Sequence, residues 1–209
     1  MSEMAVSARK RPVLKARYHH GDLRRALLEE AVRTIRDDGT AALTLRAVGA
    51  RLGVSRTALY RHFADKDALL AAVAREGFVG LKAAMDAVRA RVPRLVDQLT
   101  EMGFAYVRYA IENPAHYRVM FGGFLERCKD EPGLMADAGA AFQALVDAIV
   151  DLQRARLVRP DDPRQLARFV WATVHGIAML AIDGQLGPEA DAGVALFRDS
   201  ADRIHAALA

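Results

Sequence analysis

The segment that most constrains this fold is residues 44–63, where two short apolar patterns flank the turn LGVS. Leu45, Val48 and Leu52 repeat at helical spacing for about two turns, and a second pattern begins after Ser55. Helices this short are unstable alone, because nucleation costs more than their few hydrogen bonds contribute. The two segments must therefore pack against each other and against a third helix, which predicts a three-helix unit.

The residues around this turn favour a helix-turn-helix. Thr44 and Ser55 are placed to cap the two short helices, and Gly53 can adopt positive φ in the turn. Gly49 is on the inner side of the first short helix, where a small residue allows two helices to cross closely. A short helix, a glycine-containing turn and a second short helix with a polar outer face form a motif whose second helix enters the major groove of DNA.

The rest of the chain has helical periodicity. A first helix is expected to end at Gly39, and a long one to run from about Lys66 to about Arg91, before Pro93. Further helices are predicted at about 94–112, 115–121, 133–157, 164–184 and 190–208. No segment shows sustained period-two alternation. The predicted fold is all-α with about nine helices: a flexible basic arm (1–20), a head (21–81) and a helical body (82–209).

The charge distribution separates the head from the body. Residues 1–66 hold 14 Lys and Arg against 7 Asp and Glu, whereas the remaining 143 residues hold 16 against 19. A basic first third on a slightly acidic body is typical of a polyanion-binding head. The basic start of the chain lacks the apolar stretch of a secretory signal, and the single cysteine fits a reducing cytoplasm.

The head resembles the TetR family of bacterial transcriptional regulators. The resemblance covers about residues 21–81, and its strongest marks are LGVS, LYRHF and the lysine of DK three residues after Phe63. In the body, Trp171, His175 and Gly176 match the signature of a C-terminal subtype named for Trp-His-Gly. The resemblance implies a dimeric repressor that binds a pseudo-palindromic operator and is released by a small effector.

Roles for individual residues follow from the motif and from the resemblance. Ser55, Arg56 and Thr57 open the recognition helix and are best placed to meet base edges, with Arg56 able to bind guanine in bidentate fashion. The resemblance implies phosphate contacts for Tyr60 and His62, and for a lysine at a helix N-terminus. Arg61 either contacts base edges or holds the phosphate backbone. The basic arm either enters the minor groove or adds non-specific affinity for DNA. The predicted DNA-contacting residues are Thr44, Arg46, Ser55, Arg56, Thr57, Tyr60, Arg61, His62, Lys66, Lys15 and Arg17.

The run FVWATVHGIAMLAI at residues 169–182 is apolar on nearly every side. Its 14 residues are too few to cross a bilayer, so we expect a helix with one face in the core and another against a second copy of the chain. Gly176 would allow close approach either at that interface or within the core. The last helix is the expected partner in a four-helix contact, through Val194, Leu196, Phe197 and Ile204.

Aromatic and methionine side chains crowd residues 102–142, and Trp171, His175 and Met179 share one helical stripe. Such side chains either form plain core or enclose an apolar effector. The candidate effector contacts are Met102, Tyr106, Tyr109, Tyr117, Phe121, Phe142, Trp171, His175 and Met179.

Other readings use two polar residues of the body. Cys128, flanked by Arg127 and Lys129, would be the sensor of a redox-responsive regulator. His175 with a carboxylate such as Asp183 would serve a helical enzyme, although no phosphate loop, metal box or nucleophile motif accompanies it. We expect no catalytic residues, cofactor, metal or membrane partner. Activation instead of repression, or architectural DNA binding, remains open at this point.

Overall fold

A computed structural model describes residues 20–123, 126–128, 130–189 and 191–209, with the backbone alone for 20–22. Within these ranges every regular element is a helix, as the sequence predicts. The helices are α1 (His20–Ala42), α2 (Leu45–Arg51), α3 (Arg56–Tyr60), α4 (Lys66–Arg91), α5 (Leu95–Glu112), α6 (Pro114–Met120), α7 (Leu134–Arg154), α8 (Pro163–Ile182) and α9 (Ala192–Leu208).

The head consists of α1, α2 and α3, packed as the short-helix argument requires. Thr44 and Ser55 accept hydrogen bonds from the third backbone amide beyond each of them, so both predicted caps are confirmed. A Cβ at Gly49 would lie 2.5 Å from Cδ1 of Leu59, which confirms the close crossing of α2 and α3. Gly53 has φ 66°, the positive value that the turn needs.

An ionic clamp holds α2 on α1. The guanidinium of Arg51 donates to Glu30 (3.3 Å), Thr34 (3.1 Å) and Asp38 (3.0 Å). Glu30 and Thr34 are buried, so the clamp satisfies polar groups that would otherwise be costly inside the head. The sequence pattern did not reveal this contribution of Arg51.

The body is built around α4, which contacts α5, α6 and α7, while α8 and α9 pack on α5 and on each other. Arg75 and Arg89 of α4 bind Asp137 (2.7 Å) and Asp151 (2.6 Å), so two ion pairs tie α4 to α7 along its length. At Gly103, an added Cβ would collide with the ring of Phe197, which shows how closely α5 and α9 approach.

Helix α6 joins the head to the body, because it contacts both α1 and α4. The contact with α4 is close, since a Cβ at Gly77 would collide with the side chain of Met120. The head and the body are therefore connected through packed side chains of α4 and α6.

Two glycines differ from their predicted roles. The predicted end of α1 at Gly39 is a kink instead, with φ 82° and ψ 168°, and helical turns continue to Ala42. At Gly176 an added Cβ meets no atom within 4 Å, so the alternative that this residue permits close packing within the core is wrong.

Candidate DNA-binding surface and ligand cavity

A groove between α2 and α3, here called the α2–α3 groove, brings together three of the predicted DNA contacts. It is lined by Arg46 of α2 and by Arg56 and Tyr60 of α3. The Arg56 guanidinium stacks over the Tyr60 ring at 5.5 Å, and Tyr60 remains 47 % exposed. Two arginines and an exposed phenol on one face offer donors to both base edges and phosphates.

Four more predicted contacts are exposed beside this groove. Thr44 and Ser55 have each committed one lone pair to a cap, at 3.0 and 3.2 Å, which leaves their hydroxyl protons free to donate. Thr57 and Arg61 are exposed at the two ends of α3. The opening turn of α3 therefore presents polar side chains to solvent, as predicted.

His62 and Lys66 lie elsewhere. His62 is partly buried and lines a second groove with Arg24, Arg75 and Glu131, so the structure does not bring it to the α2–α3 groove. His62 lies in the turn after α3, and residues of α4 also line this second groove. The Lys66 ammonium donates to the backbone carbonyl of Thr40 at 2.8 Å, where it stabilises the end of α1. Lys15 and Arg17 lie outside the described residues.

The body contains an apolar cavity of about 180 Å³. Its wall comes from α4, α5, α7 and α8 and from Phe121 after α6. Of the candidate effector contacts, Tyr106, Phe121, Phe142 and Trp171 line it. The lining residues that the sequence did not single out as contacts are Phe78, Leu81, Met85, Ala138, Ala141 and Leu145.

A hydrogen-bonded chain of four side chains backs one wall of this cavity. The indole N–H of Trp171 donates to the Tyr106 hydroxyl (3.1 Å), which is 2.8 Å from the Tyr117 hydroxyl. The Tyr117 hydroxyl in turn is 2.7 Å from Nδ1 of His175. Burial raises the pKa of Tyr106 to about 12 and raises that of Tyr117 as well, whereas it lowers the pKa of His175. All four groups are therefore neutral near pH 7.

The remaining candidates do not line the cavity. Tyr117 and His175 stand behind Tyr106 in the hydrogen-bonded chain, and Met102 is buried in the core. Tyr109 lines a different groove, between α4 and α5. Met179 is partly buried against the core, although it shares a stripe with Trp171. The lining residues of α4 were missed because their spacing is that of any core-facing helix stripe.

The residues of the two alternative functions, redox sensing and enzyme catalysis, lie in environments that do not favour those functions. Cys128 is only 1 % exposed, and burial raises the pKa of its thiol, which is the opposite of what a reactive thiolate needs. Its neighbour Arg127 pairs with Asp67. Asp183 pairs with Arg118 at 3.2 Å and not with His175, whose Nδ1 is taken by Tyr117.

Helix α8 has an apolar face that the single chain leaves open, and we call it the α8 stripe. It consists of Phe169 (46 % exposed), Ala172, Gly176 and Leu180 (39 % exposed), spaced on one side of the helix. The opposite face packs on α5, α7 and α9.

Helix α8 is longer than the apolar run that the sequence analysis singled out. It has 20 residues, with mean hydropathy 1.3 over an 18-residue window, and so matches a membrane span by length and composition alone. The argument that the 14-residue run is too short to cross a bilayer is therefore wrong.

The predicted contribution of α9 to the contact with a second copy needs one correction. Phe197 and Ile204 are buried within the chain, and the Phe197 ring packs on Phe104 at 4.8 Å. Val194 and Leu196 remain partly buried at the surface. Only the latter pair is exposed enough to be available to a second copy of the chain.

Comparisons with known proteins agree with this arrangement. Residues 27–73 match the model described as bacterial regulatory proteins of the tetR family, and residues 99–204 match a tetracyclin repressor-like C-terminal domain. A solved structure of a Rhodococcus sp. RHA1 protein of unknown function is 32 % identical, with a TM-score of 0.79 over 93 % of this chain and 100 % of that one.

Two curated relatives come from Mycobacterium tuberculosis. The HTH-type transcriptional regulator Rv1816 is 26 % identical over 78 % of this chain and 82 % of its own length. The HTH-type transcriptional repressor Rv1474c is 28 % identical over 71 % of this chain and 89 % of its own length. Both head and body thus have counterparts in helix-turn-helix regulators.

Proposed function

Because the chain belongs to the TetR family and is a DNA-binding transcriptional regulator, we propose that it is a repressor released from a pseudo-palindromic operator by a small apolar effector. The observation that carries the proposal is the combination of the α2–α3 groove in the head with an apolar cavity in the body. The head offers arginines to DNA, and the body offers no charged side chain among the described residues that line its cavity. A protein that acts on DNA in this way works in the cytoplasm of a bacterium.

The operator is read by the opening turn of α3. Arg56 binds a guanine edge, and Ser55 and Thr57 contact neighbouring bases. Tyr60, Arg46, Thr44 and Arg61 hold the phosphate backbone on either side, which fixes the register of α3 in the groove. The same groove is lined by Arg46, Arg56 and Tyr60, which supports this assignment of base contacts and phosphate contacts.

Two copies associate through the α8 stripe. Isolated exposed apolar residues are common, but the α8 stripe places three of them and a half-buried glycine at helical spacing, which forms a patch that a monomer would leave in water. TetR-family regulators typically act as dimers, and a two-fold axis next to α8 gives an isologous contact in which α8 meets its own copy. Val194 and Leu196 extend the contact onto α9.

The effector acts through α4 and α6. On α4 the cavity wall is formed by Phe78, Leu81 and Met85, and just after α6 it is formed by Phe121. A molecule that fills the cavity presses on both elements, and these are the elements packed against the head. An effector that favours the displaced arrangement by about 2–3 kcal/mol weakens operator binding by roughly 30- to 150-fold.

Selection of bound sequences from a random DNA pool tests the proposal. We expect an enriched inverted repeat whose half-sites are separated by about one or more helical turns of DNA. Recovery of a single unrepeated site would contradict the dimer arrangement. Recovery of no preferred sequence would contradict the assignment of α3 as a base-reading helix.

A further inference from the structure

The hydrogen-bonded chain behind the cavity can run in two directions. An indole N–H can only donate, so the Trp171–Tyr106 bond is fixed. The other two bonds join hydroxyls to each other and to His175, and each of these groups can donate or accept. Their direction is set by the ring nitrogen of His175 that carries the proton.

With the proton on Nε2, Nδ1 accepts from Tyr117, and the Tyr117 oxygen accepts from Tyr106. Every hydroxyl proton is then used within the protein. Among the described residues, no buried side-chain nitrogen or oxygen lacks a partner, and this holds for either direction of the chain. It is the state expected when the cavity holds no polar group.

With the proton on Nδ1, the chain reverses. His175 donates to Tyr117, and Tyr117 donates to Tyr106, whose oxygen now accepts from Tyr117 and from Trp171. Among the described residues, none of the three side chains that the Tyr106 hydroxyl contacts can then accept its proton. Because Tyr106 lines the cavity, that proton is available to a group bound there.

We propose that the effector is a compact apolar molecule with one carbonyl oxygen, which accepts a hydrogen bond from Tyr106 while His175 shifts its proton to Nδ1. The inference rests on the proposed effector role of the cavity and adds the chemistry that this site recognises. Tyr106 and Trp171 carry the only side-chain oxygen and nitrogen among the described lining residues, and Trp171 is already engaged. The effector is uncharged, because the described part of the wall contains no cation and burying an unpaired anion is costly.

The cavity volume sets the size of the molecule. An apolar cavity of about 150 Å³ accommodates benzene, and this cavity measures about 180 Å³. A substituted six-membered ring therefore fits. Cyclohexanone and methylcyclohexane are suitable probes, because they have the same number of heavy atoms and differ by the exchange of a carbonyl oxygen for a methyl group.

Binding of each probe to the full-length protein is measured by headspace depletion in sealed vials. The quantity compared between proteins is the ratio of the two affinities, ketone over hydrocarbon, because the different hydration of the probes then cancels. The variants are Tyr106→Phe, which removes the donor, and Tyr109→Phe, which removes a hydroxyl from the same helix outside the cavity. A third variant, His175→Leu, removes the acceptor at the end of the chain but leaves Tyr106 in place.

The ratio should fall roughly 3- to 10-fold in Tyr106→Phe, the range expected for one neutral hydrogen bond, and stay unchanged in Tyr109→Phe. In His175→Leu the ratio should equal or exceed that of the wild type, because Tyr117 has then lost its acceptor and can donate to Tyr106 without any proton shift on a histidine. A general loss of structure would instead weaken both probes. His175→Leu also keeps the test valid should Tyr106→Phe fail to fold.

An unchanged ratio in Tyr106→Phe would overturn the carbonyl assignment while leaving the cavity as an effector site. A lower ratio in His175→Leu would overturn the role of His175 in directing the chain. If neither probe bound the wild type, the effector role of the cavity and this inference would both be wrong. Operator selection by the head would be unaffected by that result, so the two failures are distinguishable.

Discussion

A methyl group added at Gly176 tests the proposed dimer interface, because no described residue of the single chain lies where it would go. A Cβ built at Gly176 meets no atom within 4 Å, and the same is true at Gly139. Both glycines lie inside helices, in α8 and α7. In an isolated chain, each Gly→Ala change would stabilise the fold by about 0.5–1 kcal/mol, because glycine loses more backbone freedom than alanine on entering a helix.

A partner copy would make the two positions differ. Gly176 lies on the α8 stripe, and overpacking a buried contact costs about 1–3 kcal/mol. The two-fold axis repeats this cost in the second copy, so the dimer loses about 2–6 kcal/mol and its dissociation constant rises roughly 30-fold or more. The gain in helix propensity is the same in monomer and dimer, so it does not offset this rise.

Sedimentation velocity over a dilution series gives the dissociation constant for the wild type, Gly176→Ala and Gly139→Ala. We expect Gly139→Ala to dimerise like the wild type, with a Tm higher by about 1–4 °C. Gly176→Ala should dissociate at higher concentrations than either. If Gly176→Ala dimerised as tightly as the wild type and gained as much stability as Gly139→Ala, the α8 stripe would not be the interface.

Three further predictions concern the head, the hydrogen-bonded chain and the cysteine. Gly49→Ala should destabilise the head by about 1–3 kcal/mol in a urea titration and weaken operator binding, since its Cβ would lie 2.5 Å from Leu59; unchanged operator affinity would show that the crossing of α2 and α3 does not set the position of α3. Burial lowers the pKa of His175 below 6.5, so the unfolded chain takes up its proton first as the pH falls. The free energy of unfolding should therefore decrease from about pH 6.5 down to the folded-state pKa, and His175→Leu should lack this part of the slope; identical slopes would count against a neutral, buried His175. Hydrogen peroxide should not change operator binding by the wild type or by Cys128→Ser. A peroxide response in the wild type that is lost in Cys128→Ser would favour redox sensing.

The sequence predicted those parts of the fold that depend on local rules. The caps Thr44 and Ser55, the positive φ of Gly53 and the end of α4 before Pro93 each follow from the chemistry of one or two residues. The nine helices of the described ranges follow from apolar periodicity, which is strong when one face of each helix is buried.

Features that depend on how the helices pack in three dimensions could not be predicted from the pattern of apolar residues in the sequence. His62 belongs to the same LYRHF segment as Tyr60, yet the two residues line different grooves. Tyr109 and Tyr106 are neighbours on α5, but only Tyr106 lines the cavity. Periodicity identifies buried faces without telling which buried face borders an empty space, so the cavity wall on α4 was indistinguishable from core.

The hydrogen-bonded chain also required the structure. Its members come from three different helices, and Tyr106 and His175 are separated by 69 positions in the sequence. Trp171 and His175 share a helical stripe, which gave the only hint of a common role. Nothing in the pattern indicated that two tyrosines would link them.

The most direct test of the account is the affinity of Arg56→Ala for the selected operator, measured by fluorescence anisotropy at fixed salt. Arg94→Ala is the matched control, because it removes the same charge from an exposed arginine at the start of α5 that pairs with Asp97. We expect Arg56→Ala to weaken binding by about 1–3 kcal/mol, roughly 5- to 150-fold, and to relax the preference at one base pair. Arg94→Ala should bind like the wild type. Wild-type affinity and selectivity in Arg56→Ala would contradict the claim that α3 reads the operator.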